Sequence, residues 1–177
     1  KAGLKIINLS FNQINGGSIE LDVVKKKSKL NECKHLINWV LESERLNKYN
    51  EIEKHKLFFK ECQNHKILLK KLLITLKKQN KKIIGYCAST KGNVLLQYCN
   101  INSKILDYIA EVNKFKFNKY TPGSNIKIIS EKEAKIKKPH YLLVLPWHFK
   151  DHIVKREQNF LKNGGKLIFP LPDIEII

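Results

Sequence analysis

The first apolar positions of the chain follow the period of β-strands. "KIINLSF" (5–11) and "SIELDVV" (18–24) each alternate partly between apolar and polar residues. Between them, "NGG" (15–17) provides residues that tolerate positive φ, so the pattern predicts a β hairpin within residues 1–27. A two-stranded ribbon alone is marginally stable in water. Because the chain also begins at Lys1 and contains no Met, we expect it to be part of a larger protein.

Apolar positions then recur at helical spacing over residues 28–80, where we predict two helices. We expect Ser28 to cap the first helix. The second stripe runs from about residue 50 to Lys78, and a helix of roughly 28 residues is long for a globular domain, so we expect it to bridge two bodies. The first stripe consists of Leu30, Cys33, Leu36, Ile37, Val40 and Leu41.

After residue 80, short apolar runs alternate with helical stretches, which is typical of a parallel sheet wound with helices on both faces. The predicted fold class is therefore α/β, with a helix-flanked parallel sheet over residues 81–177 preceded by the hairpin and two helices. In such sheets, ligands bind beyond the carboxyl ends of the strands. The predicted strands are 81–86, 105–111, 126–129, 141–145 and 166–169, and the predicted helices are 90–99, 131–137 and 149–162.

The charge of the chain is strongly positive, at +18 over 177 residues, but almost all of it comes from lysine. Only Arg45 and Arg156 carry the forked donor suited to reading guanine edges. Lysine is spread along the chain together with abundant Ile and Asn. Solvated lysine faces are therefore favoured over a nucleic-acid-binding surface, which stays the less favoured alternative.

Three further features concern location and metal binding. No apolar run reaches the roughly 20 residues of a membrane span, and no signal peptide opens the chain, so we expect a cytoplasmic protein without membrane contact. The four cysteines show no CxxC pairing and fit reduced, half-buried thiols. Cys62 and His65 have ligand spacing, but no second pair accompanies them, and we expect no metal site.

The candidate site is "GYCASTKG" (85–92), where the first predicted strand of the sheet passes into a helix. Backbone N–H groups and a helix N-terminus at such a turn can hold an anion. Ser89 and Thr90 can cap the helix or bind phosphate oxygens, and Lys91 adds a positive charge. Glu111 ends the second strand, where dinucleotide-binding folds place a ribose-binding acid. The alternative is that Gly85 and Gly92 only permit close helix–strand packing, because the turn is not GxGxxG.

Four ordered motifs resemble the C-terminal domain of the sugar C-methyltransferases, which act on nucleotide-diphosphate deoxysugars with S-adenosylmethionine as methyl donor. The resemblance implies the chain order of that family, in which a zinc-binding domain and a methyltransferase domain precede a Rossmann-like domain, and the nucleotide sugar lies between the last two. Residues 2–24 are similar to the last two strands of the methyltransferase domain. The motifs are "GYCASTKGNVLLQYCNI" (85–101), "KYTPGSNIKI" (119–128), "LPWHFKDHI" (145–153) and "NGGKLIFPLPDIEII" (163–177).

The resemblance implies substrate-binding residues but no catalytic residue or metal ligand within this chain. Tyr86 and Trp147 are candidates to pack on a base or sugar ring, and the loop with Gly123 is a candidate to shape the site. The chain departs from the family pattern at Cys87, usually Gly, at Glu111, usually Asp, and at His148, usually Asn. The implied substrate-binding residues are Tyr86, Ala88, Ser89, Thr90, Lys91, Gly92, Asn93, Glu111, Gly123, Trp147 and His148.

Our first hypothesis is that the chain is the C-terminal, substrate-binding part of an S-adenosylmethionine-dependent C-methyltransferase. Its partners would be a nucleotide-diphosphate sugar and the missing N-terminal domains, which would bind S-adenosylmethionine. This chain alone would hold no cofactor and would be inactive. A free-standing, non-catalytic Rossmann-like nucleotide-binding module is the alternative, and a homodimer stays open.

Overall fold

The computed structural model describes residues 2–177, which divide into two compact units between Glu61 and Cys62. The first unit contains strands β1 (Leu4–Asn12) and β2 (Ser18–Lys25) and helix α1 (Lys34–Leu46). The unit boundary lies within the long helix α2 (Ile52–Lys78). The predicted division at residues 27 and 80, which assigns the hairpin to a missing domain, stays a prediction.

The hairpin prediction is confirmed. Strands β1 and β2 pair in antiparallel orientation, with Asn12 opposite Ser18 at the closed end. Gly16 and Gly17 in the connection have φ of 86° and 122°, which side chains with a Cβ rarely adopt. The glycines of "NGG" therefore close the ribbon as the sequence predicts.

The prediction that Ser28 caps the first helix is wrong. Helix α1 begins at Lys34, with Cys33 at the capping position and no side-chain cap. The Ser28 hydroxyl instead accepts a hydrogen bond from the Leu30 N–H at 3.3 Å, which holds a local turn. Serine makes such turns in competition with helix formation. In addition, the Cys33 N–H donates to the Ile6 carbonyl at 3.2 Å, which ties the helix start to β1.

The second unit contains the predicted α/β fold. Within residues 62–177, all of which are described, the sheet has six strands in the order β5-β4-β3-β6-β7-β8. Strands β3 to β7 are parallel and follow the order of a Rossmann-like fold, while β8 is antiparallel to β7. The elements after α2 are β3 (Ile83–Tyr86), α3 (Thr90–Tyr98), β4 (Tyr108–Glu111), β5 (Lys127–Ser130), α4 (Glu131–Ile136), β6 (Tyr141–Val144), α5 (Lys150–Arg156), α6 (Gln158–Lys162), β7 (Lys166–Phe169) and β8 (Glu175–Ile176).

The sequence predicts one continuous helix over residues 149–162, and this prediction is wrong. The chain makes a 3₁₀ turn at Trp147–Phe149, and then two helices that separate at Glu157. Glu157 has φ −97° and ψ 22°, outside the α-helical range, and its side chain is buried. The Tyr86 hydroxyl donates to this side chain at 2.7 Å, so the break coincides with a buried contact to β3.

Alternate residues of the parallel strands pack on opposite faces of the sheet. Ile83 on β3 contributes to the core beneath α3 and the second half of α2, where Leu69 and Leu73 are fully buried. Ile84 and Tyr86 contribute to the core beneath α4 and α5. Full burial of one leucine side chain contributes roughly 1.5–3 kcal/mol, so both faces stabilise the sheet.

All four cysteines carry free thiols, and two of them, Cys33 and Cys99, are buried. Cys62 and Cys87 are half-buried as predicted, whereas Cys33 and Cys99 are more enclosed than the prediction has them. Across residues 2–177, none of the helices combines the length and the apolar character that crossing a bilayer requires.

Candidate functional site

The carboxyl ends of β3, β4 and β6 meet at one edge of the sheet and border two cavities. The first, of about 300 Å³, lies between the turn after β3 and the residues that follow β6, including Pro146 and Phe149. The second, of about 360 Å³, lies between the start of α3 and residues 119–122. Ala88, Ser89 and Lys116 line both cavities, and we call the two together the carboxyl-edge cleft.

The turn after β3 has an unusual backbone conformation. Cys87 has φ of 67°, in the left-handed region that favours glycine. A side chain at such a position costs about 1–3 kcal/mol unless the surroundings hold it. The Cys87 N–H donates to the Ala110 carbonyl at 2.9 Å, and the Ser89 N–H donates to the Cys87 carbonyl at 2.9 Å. The turn that the sequence singles out is thus a constrained one.

Glu111 holds this turn from the end of β4. Its side chain is 5% exposed, and its Oε2 accepts from the Ala88 N–H at 3.0 Å and from Lys116 Nζ at 3.2 Å. Its Oε1 accepts from the N–H groups of Val112 and Asn113 at 2.8 and 3.0 Å. A carboxylate offers about four lone-pair directions, and these four donors occupy them. Glu111 therefore positions the turn, and its predicted ribose contact stays a prediction.

The ionisation of Glu111 follows from the same contacts. Burial by itself would raise the pKa of this carboxyl, but the hydrogen bonds from Asn113 and Val112 and the Lys116 ammonium together outweigh burial, and its pKa lies below the usual value. Lys116 also donates to the Ala88 carbonyl at 2.9 Å. Both backbone polar groups of Ala88 are therefore fixed by one ion pair.

Ser89 caps α3 as predicted: its Oγ accepts from the Gly92 N–H at 3.1 Å. Gly92 is required for packing, because a Cβ there would lie 2.4 Å from the Leu145 Cβ. Thr90 is exposed and Lys91 is half-buried at the first turn of the helix. The structure therefore supports the packing alternative for Gly92. Thr90 lines the second cavity, whereas Lys91 lines neither cavity.

Asn93 offers an acceptor to the second cavity. Its Oδ1 is buried and accepts no hydrogen bond from the residues that the structure describes. A buried acceptor left without a donor costs about 1–3 kcal/mol. An unsatisfied group in a native cavity calls for an explanation, and a ligand donor is one.

The loop with Gly123 is a self-contained turn. Gly123 has φ of 71°, and a Cβ there would lie 2.7 Å from the Gln97 side chain. The hydroxyls of Thr121 and Ser124 are buried and 2.7 Å apart. Thr121 and Pro122 line the second cavity, whereas Gly123 shapes the turn behind them.

The remaining predicted residues do not form one cluster: Tyr86 lines the first cavity, whereas Trp147 and His148 line neither. Tyr86 is 3% exposed on the α4 and α5 face, and its hydroxyl donates to Glu157 at 2.7 Å. Trp147 packs partly buried against both cores. His148 Nδ1 is buried without a partner among the described residues, and burial, helped by the Lys91 charge, lowers the pKa of this imidazole. The predicted ligand contacts of these residues stay predictions.

Sequence reasoning missed the cationic and aromatic residues that line the cleft from the loop after β4, the 3₁₀ turn after β6 and helix α5. "KFKFNKY" (114–120) alternates lysine with aromatic residues directly after a strand, and this pattern is the signal that could have found three of them. The missed lining residues are Lys116, Lys119, Tyr120, Phe149, His152 and Arg156.

Comparison with known proteins gives two findings. The profile of a family described as the C-methyltransferase C-terminal domain matches residues 13–172. The chain is also similar to the C-methyltransferase NovU of Streptomyces niveus, with 27% identity over 175 residues. That alignment covers 99% of this chain and 41% of the relative, so the chain spans about two fifths of the length of the curated relative it matches.

Proposed function

This chain belongs to the C-methyltransferase C-terminal domain family, and we propose that it forms one wall of the nucleotide-diphosphate sugar site of a C-methyltransferase. Methyltransferases generally take their methyl group from S-adenosylmethionine. We propose that this donor binds to polypeptide that precedes the present chain, in keeping with the 41% of the relative's length that the chain covers. This chain would then orient the sugar and would not itself transfer the methyl group.

The observation that carries the proposal is the pairing of donors and acceptors in the carboxyl-edge cleft. Lys119 supplies positive charge on one side, which suits a diphosphate, and Lys116 keeps one N–H beside those that bind Glu111 and Ala88. The buried Asn93 Oδ1 on the other side accepts and cannot serve a phosphate oxygen, which also accepts. A ligand with a phosphate and a hydroxyl or N–H donor satisfies both, and a nucleotide-diphosphate sugar has both.

The chemistry that this orientation would serve is the attack of a carbanion or enolate, formed beside a keto group, on the sulfonium methyl. Such a reaction needs a base, a methyl-donor pocket and a sugar held at a fixed position. The constrained turn at Cys87 and Ala88, fixed by Glu111 and Lys116, provides a rigid backbone for holding the sugar nucleotide.

We also propose that the apolar surface of the first unit contacts the preceding domain. Phe11 and Trp39 are 55% and 62% exposed, and their rings pack edge to face with centroids 6.1 Å apart. Large apolar side chains exposed together mark surfaces that another body covers. The resemblance of residues 2–24 to the last strands of a methyltransferase domain supports that domain as the covering body.

Calorimetric titration of a thymidine-diphosphate deoxysugar into the full-length parent protein tests the proposal. Replacement Asn93→Leu keeps the shape of the side chain but removes the acceptor, and we expect about tenfold weaker binding, as for loss of one buried hydrogen bond. We expect Lys91→Ala and Lys119→Ala each to weaken binding in a salt-dependent manner. Lys132→Ala, an exposed lysine of α4 outside the cleft, is the matched control. Unchanged affinity in Asn93→Leu, Lys91→Ala and Lys119→Ala alike would refute the proposed site.

A further inference from the structure

A third cavity lies on the opposite face of the sheet from α3, between α4 and α6, and we call it the α4–α6 cavity. Its volume of about 550 Å³ falls within the range of small-molecule sites. Ala110 and Leu142 of the sheet form an apolar floor, and Ala134 of α4 and Phe160 of α6 contribute apolar walls. The small side chains of Ala110 and Ala134 leave room for a flat ring to lie against the sheet.

The inner end of this cavity holds a mostly buried carboxylate to which the described residues give one hydrogen bond. The Glu157 side chain is 7% exposed, and its Oε1 accepts from the Tyr86 hydroxyl at 2.7 Å. The Arg156 Nε lies 3.6 Å from the same oxygen, while Oε2 receives no hydrogen bond within residues 2–177. A buried carboxylate is stable when several donors bind both of its oxygens. Glu157 therefore has room for a further N–H donor, and it lines the cavity.

The groups around Glu157 limit what this donor can be. Arg156 pairs with Glu131, and its guanidinium lies 5.7 Å from the centre of the Tyr86 ring. One guanidinium thus faces two carboxylates at the inner end, which leaves that end acidic. A neutral or positively charged N–H group is favoured there over an anion.

The outer rim has the opposite character. Lys135 and Lys138 are exposed at the end of α4 and line the opening. No carboxylate pairs with either lysine among the ion pairs of the described residues. An anionic group at the rim would therefore gain favourable interactions with two ammonium groups.

We propose that the α4–α6 cavity is a second ligand site, for a flat heteroaromatic ring with an N–H donor that is attached to an anionic group, as in a nucleoside monophosphate. The ring would lie on the apolar floor with its N–H donating to Glu157 Oε2, and the phosphate would lie at Lys135 and Lys138. This site is additional to the proposed sugar-nucleotide cleft. Arg156 lines the α4–α6 cavity and also the first cavity of the carboxyl-edge cleft, so none of the variants below replaces it.

The test is calorimetric titration of the 177-residue chain with adenosine, guanosine, cytidine and uridine 5′-monophosphates. We expect at least one of them to bind saturably. The double variant Lys135→Glu, Lys138→Glu should weaken that binding at least tenfold, whereas Lys132→Glu, on the same helix but outside the cavity, should leave it unchanged. Glu157→Gln should also weaken binding at least tenfold, because it leaves one acceptor oxygen for the Tyr86 hydroxyl and the ligand N–H and removes the negative charge.

Two comparisons distinguish loss of binding in the α4–α6 cavity from unfolding of the variant and from binding in the carboxyl-edge cleft. The exposed lysine variants test the rim even where Glu157→Gln lowers the melting temperature. Asn93→Leu, in the cleft, should leave binding of the monophosphate unchanged. The proposal is overturned by the absence of binding for all four nucleotides, by equal binding in the wild type and the double lysine variant, or by loss of binding in Asn93→Leu instead. None of these outcomes decides whether the thymidine-diphosphate sugar binds in the carboxyl-edge cleft, because the separate titration with that sugar tests the cleft.

Discussion

The two compact units differ in how far they bury their apolar side chains. Among described residues 2–61, Cys33 is buried, while Leu21, Phe11 and Trp39 are 45%, 55% and 62% exposed. Residues 62–177 bury apolar side chains on both faces of one sheet. The second unit therefore builds a core of its own, whereas the first leaves large apolar side chains exposed.

The largest effect is expected where the core of the second unit is deepest. Leu143 is fully buried on β6, next to the central strand β3. Replacement Leu143→Ala should lower the free energy of unfolding by about 2–5 kcal/mol, because it removes buried surface and leaves a cavity. Urea unfolding followed by circular dichroism measures the change. A loss below 1 kcal/mol, on the order of a surface substitution, would contradict the assignment of this core.

A smaller effect is expected at the turn that borders the cleft. Glu111→Gln removes the charge and places an amide donor against the Ala88 N–H or Lys116, so we expect a loss of about 1–3 kcal/mol in the free energy of unfolding. Urea unfolding near neutral pH measures it. Asp107→Asn, an exposed acid that pairs with Lys77, is the matched control and should change stability by less than about 1 kcal/mol.

The difference in the free energy of unfolding between wild type and Glu111→Gln should depend on pH. The pKa of Glu111 is lower in the folded protein than in the unfolded chain, so its contribution is present above the unfolded value, near 4.3, and is lost as the pH falls through the folded value. The stability difference between wild type and Glu111→Gln should therefore shrink in acid. A difference that stays constant from neutral pH to about pH 2 would show that the Glu111 charge does not stabilise the turn.

The smallest effect is expected in the hairpin. Leu21→Ser on β2 replaces a side chain that is 45% exposed, and we expect the free energy of unfolding of this chain to change by about 0.5 kcal/mol or less. The same urea titration measures it. A loss comparable with that of Leu143→Ala would remove the contrast between the two units.

The sequence predicted the fold best where local pattern and burial agree. Buried apolar runs gave all five parallel strands, and "NGG" gave the hairpin connection. β8 was missed because it has two residues and forms only by pairing with β7. The break at Glu157 was missed because it involves Tyr86, 71 residues earlier, which no local period encodes.

The candidate site was predictable in location but not in its contacts. Strand order and the Ser89 cap place the cleft at the end of β3. Glu111 was singled out, but its contact with the Ala88 N–H joins residues 23 positions apart and depends on how β3 and β4 pair. Lys116 was missed because its role arises only when the loop after β4 folds back onto Ala88.

Hydrogen–deuterium exchange of the full-length parent protein, with and without a thymidine-diphosphate deoxysugar, shows which residues the ligand covers. If the carboxyl-edge cleft holds the sugar nucleotide, peptides that contain residues 87–93 and 112–121 should exchange more slowly in the bound protein. Protection confined to α4 and α6, or no protection in residues 62–177 at a saturating ligand concentration, would contradict the account.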